Sequence, residues 1–225
     1  PGGKTLLSEN ILHARKVLLD LLKDREMASM VEPFDPQRYN RNATLGENLL
    51  FGTAVGGAFA AQNLMQNAYF QKVLSETALM PELIRMGLSI AETMIELFSG
   101  IAPGHSFFEQ FSFIAADDLQ EYQEIFNRAP RDNLDALPFA DRSRLAALTL
   151  NYCESRHRLG LIDPDMEQHI LAARMEFAAG LPDEYRGAIE FYDLGKFNSA
   201  ASLLDNILFG RVIYGQAEAQ IRIGA

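Results

Sequence analysis

Apolar residues recur at three- and four-residue spacing over most of this chain, the period of helices with one buried face. A long helix is predicted from about Leu6 to Met30, with Ile11, Leu18 and Leu22 on one stripe. Asn67 to Thr77 reads as a second helix. Pro81 suits the first turn of a short helix that Gly87 would end. Ser89 and Glu92 then form a capping box for a helix carrying Ile90, Met94, Leu97 and Phe98, stopped by Gly100 and Pro103. Asp117 and Asp118 complement the positive end of a helix whose apolar face is Leu119, Tyr122, Ile125 and Phe126. Asp141 to about His157 is helical in pattern. Asp163 caps a further helix, with Pro164 in its first turn, a stripe of Met166, Ile170, Ala173 and Phe177, and Gly180 and Pro182 at its end. Only Met30 to Phe34 and Ala188 to Tyr192 read as strands. The pattern predicts a mainly α chain, a single helical domain over residues 1–225 with one small two-stranded β element.

One segment is written twice. Residues 34–52 align without a gap on residues 192–210, an offset of 158, and eight of the nineteen positions are identical: Asp35, Asn40, Ala43, Leu45, Asn48, Leu50, Phe51 and Gly52 meet Asp193, Asn198, Ala201, Leu203, Asn206, Leu208, Phe209 and Gly210. Thr44 with Glu47 forms a capping box for a two-turn helix, and Ser202 with Asp205 repeats it with a shorter acid. Gly52 and Gly210 stand where a left-handed residue would close each helix. Asn is a mediocre helix former, so Asn48 and Asn206 call for a backbone or a partner to bond. Thr44, Glu47, Asn48, Ser202, Asp205 and Asn206 are therefore the candidate interface residues. A fainter echo, Leu7 to Leu12, keeps only Glu-Asn-Ile-Leu. The copies bracket a helical region, 58–189, and are expected to fold alike, with Phe34 and Tyr192 on adjacent strands and Leu45 and Leu203 in one core.

Charge narrows the partners. A formal net charge of -10 opposes nucleic acid and anionic membrane surfaces, whose binders depend on Lys and Arg. No apolar run approaches the ~20 residues of a membrane-spanning helix. The start, PGGKTLLSENILHARK, lacks a secretory apolar region. Cys153 is the one cysteine, which excludes an internal disulfide and fits a reducing compartment.

The phrase Thr/Ser-Leu-x-Glu/Asp-Asn-Leu/Ile-Leu-Phe-Gly resembles the segment just downstream of the Q-loop in the ATP-binding half of ABC exporters. In that family it follows a strand, opens the helical subdomain and lies near the surface that meets the transmembrane domain. The wider chain, with FDPQRYN, PGHSFFEQFSF and ESRHRLGLID, resembles an extra segment of some bacterial ABC transporter ATP-binding proteins. The resemblance implies a non-catalytic accessory or regulatory domain on the cytoplasmic side of the bacterial inner membrane. Its partners would be the rest of the ATP-binding protein and its transmembrane domain. It implies ATP and Mg for the parent protein only. Gly2-Gly3-Lys4-Thr5 lacks the first glycine and the preceding strand of a phosphate loop. No signature sequence or Walker B strand follows, and Gln37, the candidate Q-loop glutamine, is matched by Gly195 in the second copy.

No catalytic, cofactor or metal residue is assigned in this segment. Glu154 and His157 form one Glu-x-x-His, whereas a di-iron bundle uses two with further carboxylates. Cys153 lies four residues from His157, but no oxyanion donors can be read. His105 with Glu109 fits a helix start, and Phe107, Phe108, Phe111 and Phe113 fit core packing. The alternatives are a free-standing helical protein-interaction module, or a helical enzyme built on Glu154 and His157.

Overall fold

A computed structural model describes residues 2–22, 29–98, 100–101 and 114–215. The fold is mainly α with a small β content, as the hydrophobic pattern predicts. The chain divides into two compact units: Pro1–Ala60 with Cys153–Ala225, and Ala61–Tyr152.

The first unit is built from helix α1 (Gly2–Leu21), strand β1 (Val31–Pro33), the short helix α2 (Leu45–Leu50) and strand β2 (Gly52–Ala54). The second unit holds α3 (Ala68–Glu76), α4 (Met80–Phe98), α5 (Leu119–Arg128) and α6 (Phe139–Leu150). The chain then returns to the first unit through the single turn α7 (Glu154–His157), α8 (Pro164–Ala179), β3 (Ile189–Phe191), α9 (Leu203–Leu208) and β4 (Gly210–Val212).

In the second unit α4 packs along α6 and against α5. Gly87 does not end a short helix; α4 runs through it from Met80 to Phe98. A β-carbon at Gly87 would lie 2.1 Å from the Leu145 carbonyl oxygen, so the glycine permits a close helix crossing and is no stop signal. Leu83, Ile84, Ile90, Ala91, Leu145 and Ala146 are sealed inside the unit. Thr149 donates its hydroxyl to the Leu83 carbonyl at 2.7 Å and ties the two helices together. The helix expected from Asp141 to His157 is broken: α6 ends at Leu150 and α7 starts at Glu154.

The first unit contains two two-stranded antiparallel sheets, and their pairing is crossed. β1, which leads into the first copy of the repeat, pairs with β4, which leaves the second copy; Val31 faces Val212 and Pro33 faces Gly210. β3, which leads into the second copy, pairs with β2, which leaves the first; Gly52 faces Phe191 and Ala54 faces Ile189. The strands that carry the expected pair therefore do not bond to each other. Phe34 and Tyr192 instead stack ring on ring, with centroids 4.1 Å apart and planes 8° from parallel. The N–H of Phe34 donates to the Phe209 carbonyl at 2.8 Å, and the N–H of Tyr192 donates to the Phe51 carbonyl at 2.9 Å.

Leu45 is fully buried but Leu203 is 54% exposed, so the shared core expected from that pair does not form. Leu7 to Leu12 lies in mid-α1 and is no third copy of the joint. Gly2 to Thr5 are the first residues of the same helix. Among the described residues no helix is long and apolar enough to cross a membrane. His105, Glu109 and the run Phe107, Phe108, Phe111 and Phe113 lie outside the described residues.

Candidate functional site

Each copy of the repeat folds as one joint: a strand, a turn, a capped two-turn helix and a second strand. The turn begins with an aspartate whose side chain accepts from the backbone two residues on, Gln37 N–H to Asp35 at 2.8 Å and Gly195 N–H to Asp193 at 2.9 Å. Asn40 and Asn198 then reach back to the strand, donating to the Glu32 and Glu190 carbonyls at 3.1 Å each. Those two glutamates, also equivalent under the offset of 158, accept from the far side of the turn: Asn42 bonds Glu32, and Ser199 and Ala200 bond Glu190.

Thr44 and Glu47 make the complete capping box. The Thr44 hydroxyl accepts from Glu47 N–H at 3.2 Å, and the Glu47 carboxylate accepts from Thr44 N–H at 2.8 Å. In the second copy Ser202 accepts from Asp205 N–H at 3.0 Å, but the shorter acid bonds the Ser202 hydroxyl and does not reach its backbone. The left-handed residue at each helix end is not the glycine. Phe51 (φ 43°) and Phe209 (φ 42°) take that conformation. Gly52 and Gly210 lie in the strands, where a β-carbon would stand 2.7 Å from the Glu190 carbonyl oxygen and 2.4 Å from that of Glu32. The glycines exist for the close strand approach. The phenylalanines carry the backbone strain, which costs of order 1–3 kcal/mol for a non-glycine residue.

Asn48 and Asn206, expected at an interface, face inward; each is 2% exposed. The Asn48 carboxamide donates to the Asn40 and Thr44 carbonyls at 2.9 and 3.0 Å and accepts from Asn40 N–H at 2.9 Å. Asn206 repeats every bond with Asn198 and Ser202, at 2.8, 3.0 and 2.8 Å. Each asparagine thus closes the turn onto the helix, which explains a poor helix former inside a short helix.

The carboxamide oxygen of each asparagine accepts one more bond, from an arginine that sequence reasoning missed. Arg174, on α8, donates Nε to the Asn48 carbonyl at 2.6 Å, Nη2 to Asn48 Oδ1 at 3.0 Å, and Nη1 to the carbonyls of Asp35, Pro36 and Arg38 at 3.2–3.3 Å. Arg15, on α1, does the same in the second copy: Nε to the Asn206 carbonyl at 2.6 Å, Nη2 to Asn206 Oδ1 at 3.2 Å, and Nη1 to Asp193, Leu194 and Lys196 at 2.8–3.1 Å. Each guanidinium also lies over the strained phenylalanine, Arg174 at 4.5 Å from the Phe51 ring centre and Arg15 at 4.7 Å from that of Phe209. Burial lowers the pKa of both guanidiniums, that of Arg174 to about 10, which leaves Arg174 charged near neutral pH.

The signal for these arginines was present. Ile11-Leu12-His13-Ala14-Arg15 and Ile170-Leu171-Ala172-Ala173-Arg174 share four of five residues at an offset of 159, one more than that of the joints. Both place a lone arginine in an otherwise apolar stripe. The repeat therefore includes a helix as well, and the helices are exchanged. The helix preceding the first joint locks the second, and the helix preceding the second joint locks the first.

The two capping acids meet at a third arginine. Arg211, on β4, donates to Glu47 at 2.5 Å and to Asp205 at 3.2 Å, and lies 5.3 Å over the Phe34 ring. Thr53 holds the equivalent place in the first copy, so this bridge is asymmetric.

Glu154, His157 and Cys153 are committed to local structure. Glu154 accepts from the N–H groups of Gly160 and Ile162 at 3.2 Å each, and His157 Nδ1 accepts from Cys153 N–H at 2.9 Å. Burial raises the Cys153 thiol above its ordinary range, opposite to what a nucleophile needs, and its sulfur donates to the Arg41 carbonyl at 3.5 Å. Among the described residues no cluster of three or more His, Cys, Asp or Glu is placed to hold a metal. No protein-family model, curated protein or solved structure matches this chain.

Proposed function

We propose that this chain is a non-catalytic accessory or regulatory region of an ABC transporter ATP-binding protein, placed on the cytoplasmic side of the membrane and partnered by the rest of that protein and its transmembrane domain. One observation carries the reading. The phrase ending in Asn-Leu-Leu-Phe-Gly follows a strand, β1, and the chain passes from it through β2 into a helical unit, Ala61–Tyr152. That is the order, strand then joint then helical subdomain, that the resemblance implies. The arginine lock suits a mechanical role: buried, charged hydrogen bonds fix the joint's angle, which a transmitting element requires. ATP and Mg would belong to the parent protein, as the incomplete phosphate-loop sequence Gly2-Gly3-Lys4-Thr5 suggests.

The test is the native polypeptide and the subunits that copurify with it. A phosphate loop, a signature sequence and a Walker B strand should be found among them; a set holding none of the three overturns the proposal. The chain itself should bind no ATP, and micromolar affinity in calorimetry, lost on changing Lys4, would also sink it.

A further inference from the structure

The helical unit Ala61–Tyr152 carries a cleft of its own, about 200 Å³ in volume. One wall is Pro81, Ile84 and Arg85, from the first two turns of α4; the other is residues 131–135, from the segment ahead of α6. Ile84 is 2% exposed and gives the cleft an apolar base, which Pro81 and Leu134 extend. The segment ahead of α6 is held in shape by its own bonds. Asn133 N–H donates to the Pro130 carbonyl at 3.2 Å, and Ala136 N–H donates to that of Asn133 at 3.1 Å. Arg131 lies 4.1 Å over the Phe126 ring and 3.7 Å from the Glu92 carboxylate, and Asp135 stands 3.8 Å from Arg142. Those two charges are therefore already engaged.

Three polar side chains of the cleft are left over. Among the described residues, Arg85, Asp132 and Asn133 make no side-chain hydrogen bond or ion pair. Arg85 and Asp132 carry opposite charges and line the same small space, yet they do not reach each other. A ligand that joins them must offer an anion to Arg85 and a cation to Asp132, and the Asn133 carboxamide can bond either. It must also offer an apolar group to Ile84. The volume limits it further, being below the ~300–1,000 Å³ of sites that take cofactors and drug-sized molecules. A simple anion would meet Asp132 and Asp135 as well as the arginines. A carboxylate and an ammonium that share one carbon with an apolar branch describe an α-amino acid. We propose that this cleft binds a free α-amino acid with an apolar side chain, its carboxylate on Arg85, its ammonium on Asp132 and its side chain against Ile84. The transporter reading gives this unit no ligand, and the inference stands without that reading.

Titration of the 225-residue chain with free leucine, followed by amide shifts in NMR, tests it. The charges are exposed and screened, so saturable binding with Kd of about 0.1–1 mM is expected. The shifts should fall at Arg85 and residues 131–135. Glycine should bind at least about tenfold more weakly, having nothing to place against Ile84. N-acetyl-leucine keeps only the carboxylate, as a peptide C-terminus does, and leucinamide keeps only the ammonium, as a peptide N-terminus does. Each should bind about three- to fivefold more weakly than leucine. Arg85→Gln should lower leucine to the affinity of leucinamide, and Asp132→Asn should lower it to that of N-acetyl-leucine. Neither side chain has a partner among the described residues, so both variants should unfold at the parent temperature. The absence of a saturable shift up to about 10 mM leucine overturns the proposal. So do shifts away from the cleft, a blocked analogue that binds as tightly as leucine, or variants that leave the affinity intact.

Discussion

Removing one arginine lock should loosen one joint and spare the other. Arg174 is 4% exposed and donates to four backbone carbonyls and to Asn48 Oδ1. Arg174→Ala leaves those acceptors facing a hole and removes the cation from the Phe51 ring. A buried acceptor without its donor costs about 1–3 kcal/mol, but water entering the hole will satisfy some of the five, and the guanidinium's own desolvation penalty is relieved. The net loss should be about 3–5 kcal/mol, in the range of other buried charged groups that lose a partner. Arg174→Lys should recover only part of this, because an ammonium is a point donor and does not span a carbonyl and a carboxamide on one side with three carbonyls on the other. Arg15→Ala should cost a similar amount, since Arg15 is 2% exposed and makes the equivalent five bonds in the second joint. Chemical denaturation gives the magnitude, and amide hydrogen exchange gives the location. Arg174→Ala should unprotect residues 45–51 before 203–209, and Arg15→Ala should do the reverse. A loss below about 1 kcal/mol, or equal loss of protection in both joints whichever arginine is changed, would refute the reciprocal lock.

Three further outcomes follow from named contacts. Thr44→Ala should cost about 1 kcal/mol and Ser202→Ala about half that, because only Thr44 sits in a complete box; equal losses by denaturation would show that the reach-back of Glu47 contributes nothing. Gly87→Ala forces a β-carbon to within 2.1 Å of the Leu145 carbonyl unless α4 and α6 separate, so thermal unfolding of the Ala61–Tyr152 unit should drop by roughly 2–4 kcal/mol, and a neutral result would contradict the crossing. Burial, aided by Arg156 and opposed by Glu154, depresses His157 to about 4; the folded state therefore takes up its proton later than the unfolded chain, and stability should fall as pH drops from about 6.5 to 4. Allowing for solvent screening at this half-buried site, that contribution is about 1–2 kcal/mol, and His157→Gln should flatten the slope relative to the parent chain.

The elements that local chemistry punctuates were legible in the sequence. Asn67 caps α3, Asp163 and Pro164 open α8, and Thr44 and Ser202 cap the joint helices, because each start depends on one short-range side-chain bond. Gly87 misled because a glycine that ends a helix and one that admits a neighbouring backbone look alike in one dimension. Gly52 and Gly210 misled for the same reason: the repeat marked them as special, but the close approach belongs to Glu190 and Glu32, more than a hundred residues away in sequence. β2 and β4 were invisible as strands, since three residues carry no period and their ladder bonds are supplied by the opposite copy. Arg15 and Arg174 were missed because charged residues are ordinarily read as solvent-facing, and only the comparison of the two stripes shows that both sit at one buried place.

The crossed pairing also explains why both copies retain so particular a sequence. A joint that closed on its own helix could drift independently of its sister. Here each joint takes its locking arginine from the other half's helix and its strand partner from the other half's strand. Changing Asn48 strands Arg174, whose helix leads into β3; β3 pairs with β2 beside Asn48's own joint. Changing Asn206 strands Arg15, whose helix leads toward β1, the partner of β4 beside the second joint. Phe34 and Tyr192 meet in the stack between the halves, and Arg211 holds Glu47 and Asp205 together beside them. A substitution in either copy therefore acts on contacts of both, which selects for matching sequences without requiring either copy to bind a ligand. This coupling makes a specific demand on double variants. Asn48→Ala and Arg174→Ala touch one lock, so their combined cost should fall well short of the sum, by about 1–3 kcal/mol, whereas Asn48→Ala with Arg15→Ala touches both locks and should be nearly additive unless the stack transmits strain. Denaturation of the four single and double variants separates these cases. Additivity within Asn48 and Arg174 would mean that the bonds between them contribute nothing, and the common sequence of the two joints would then need another cause.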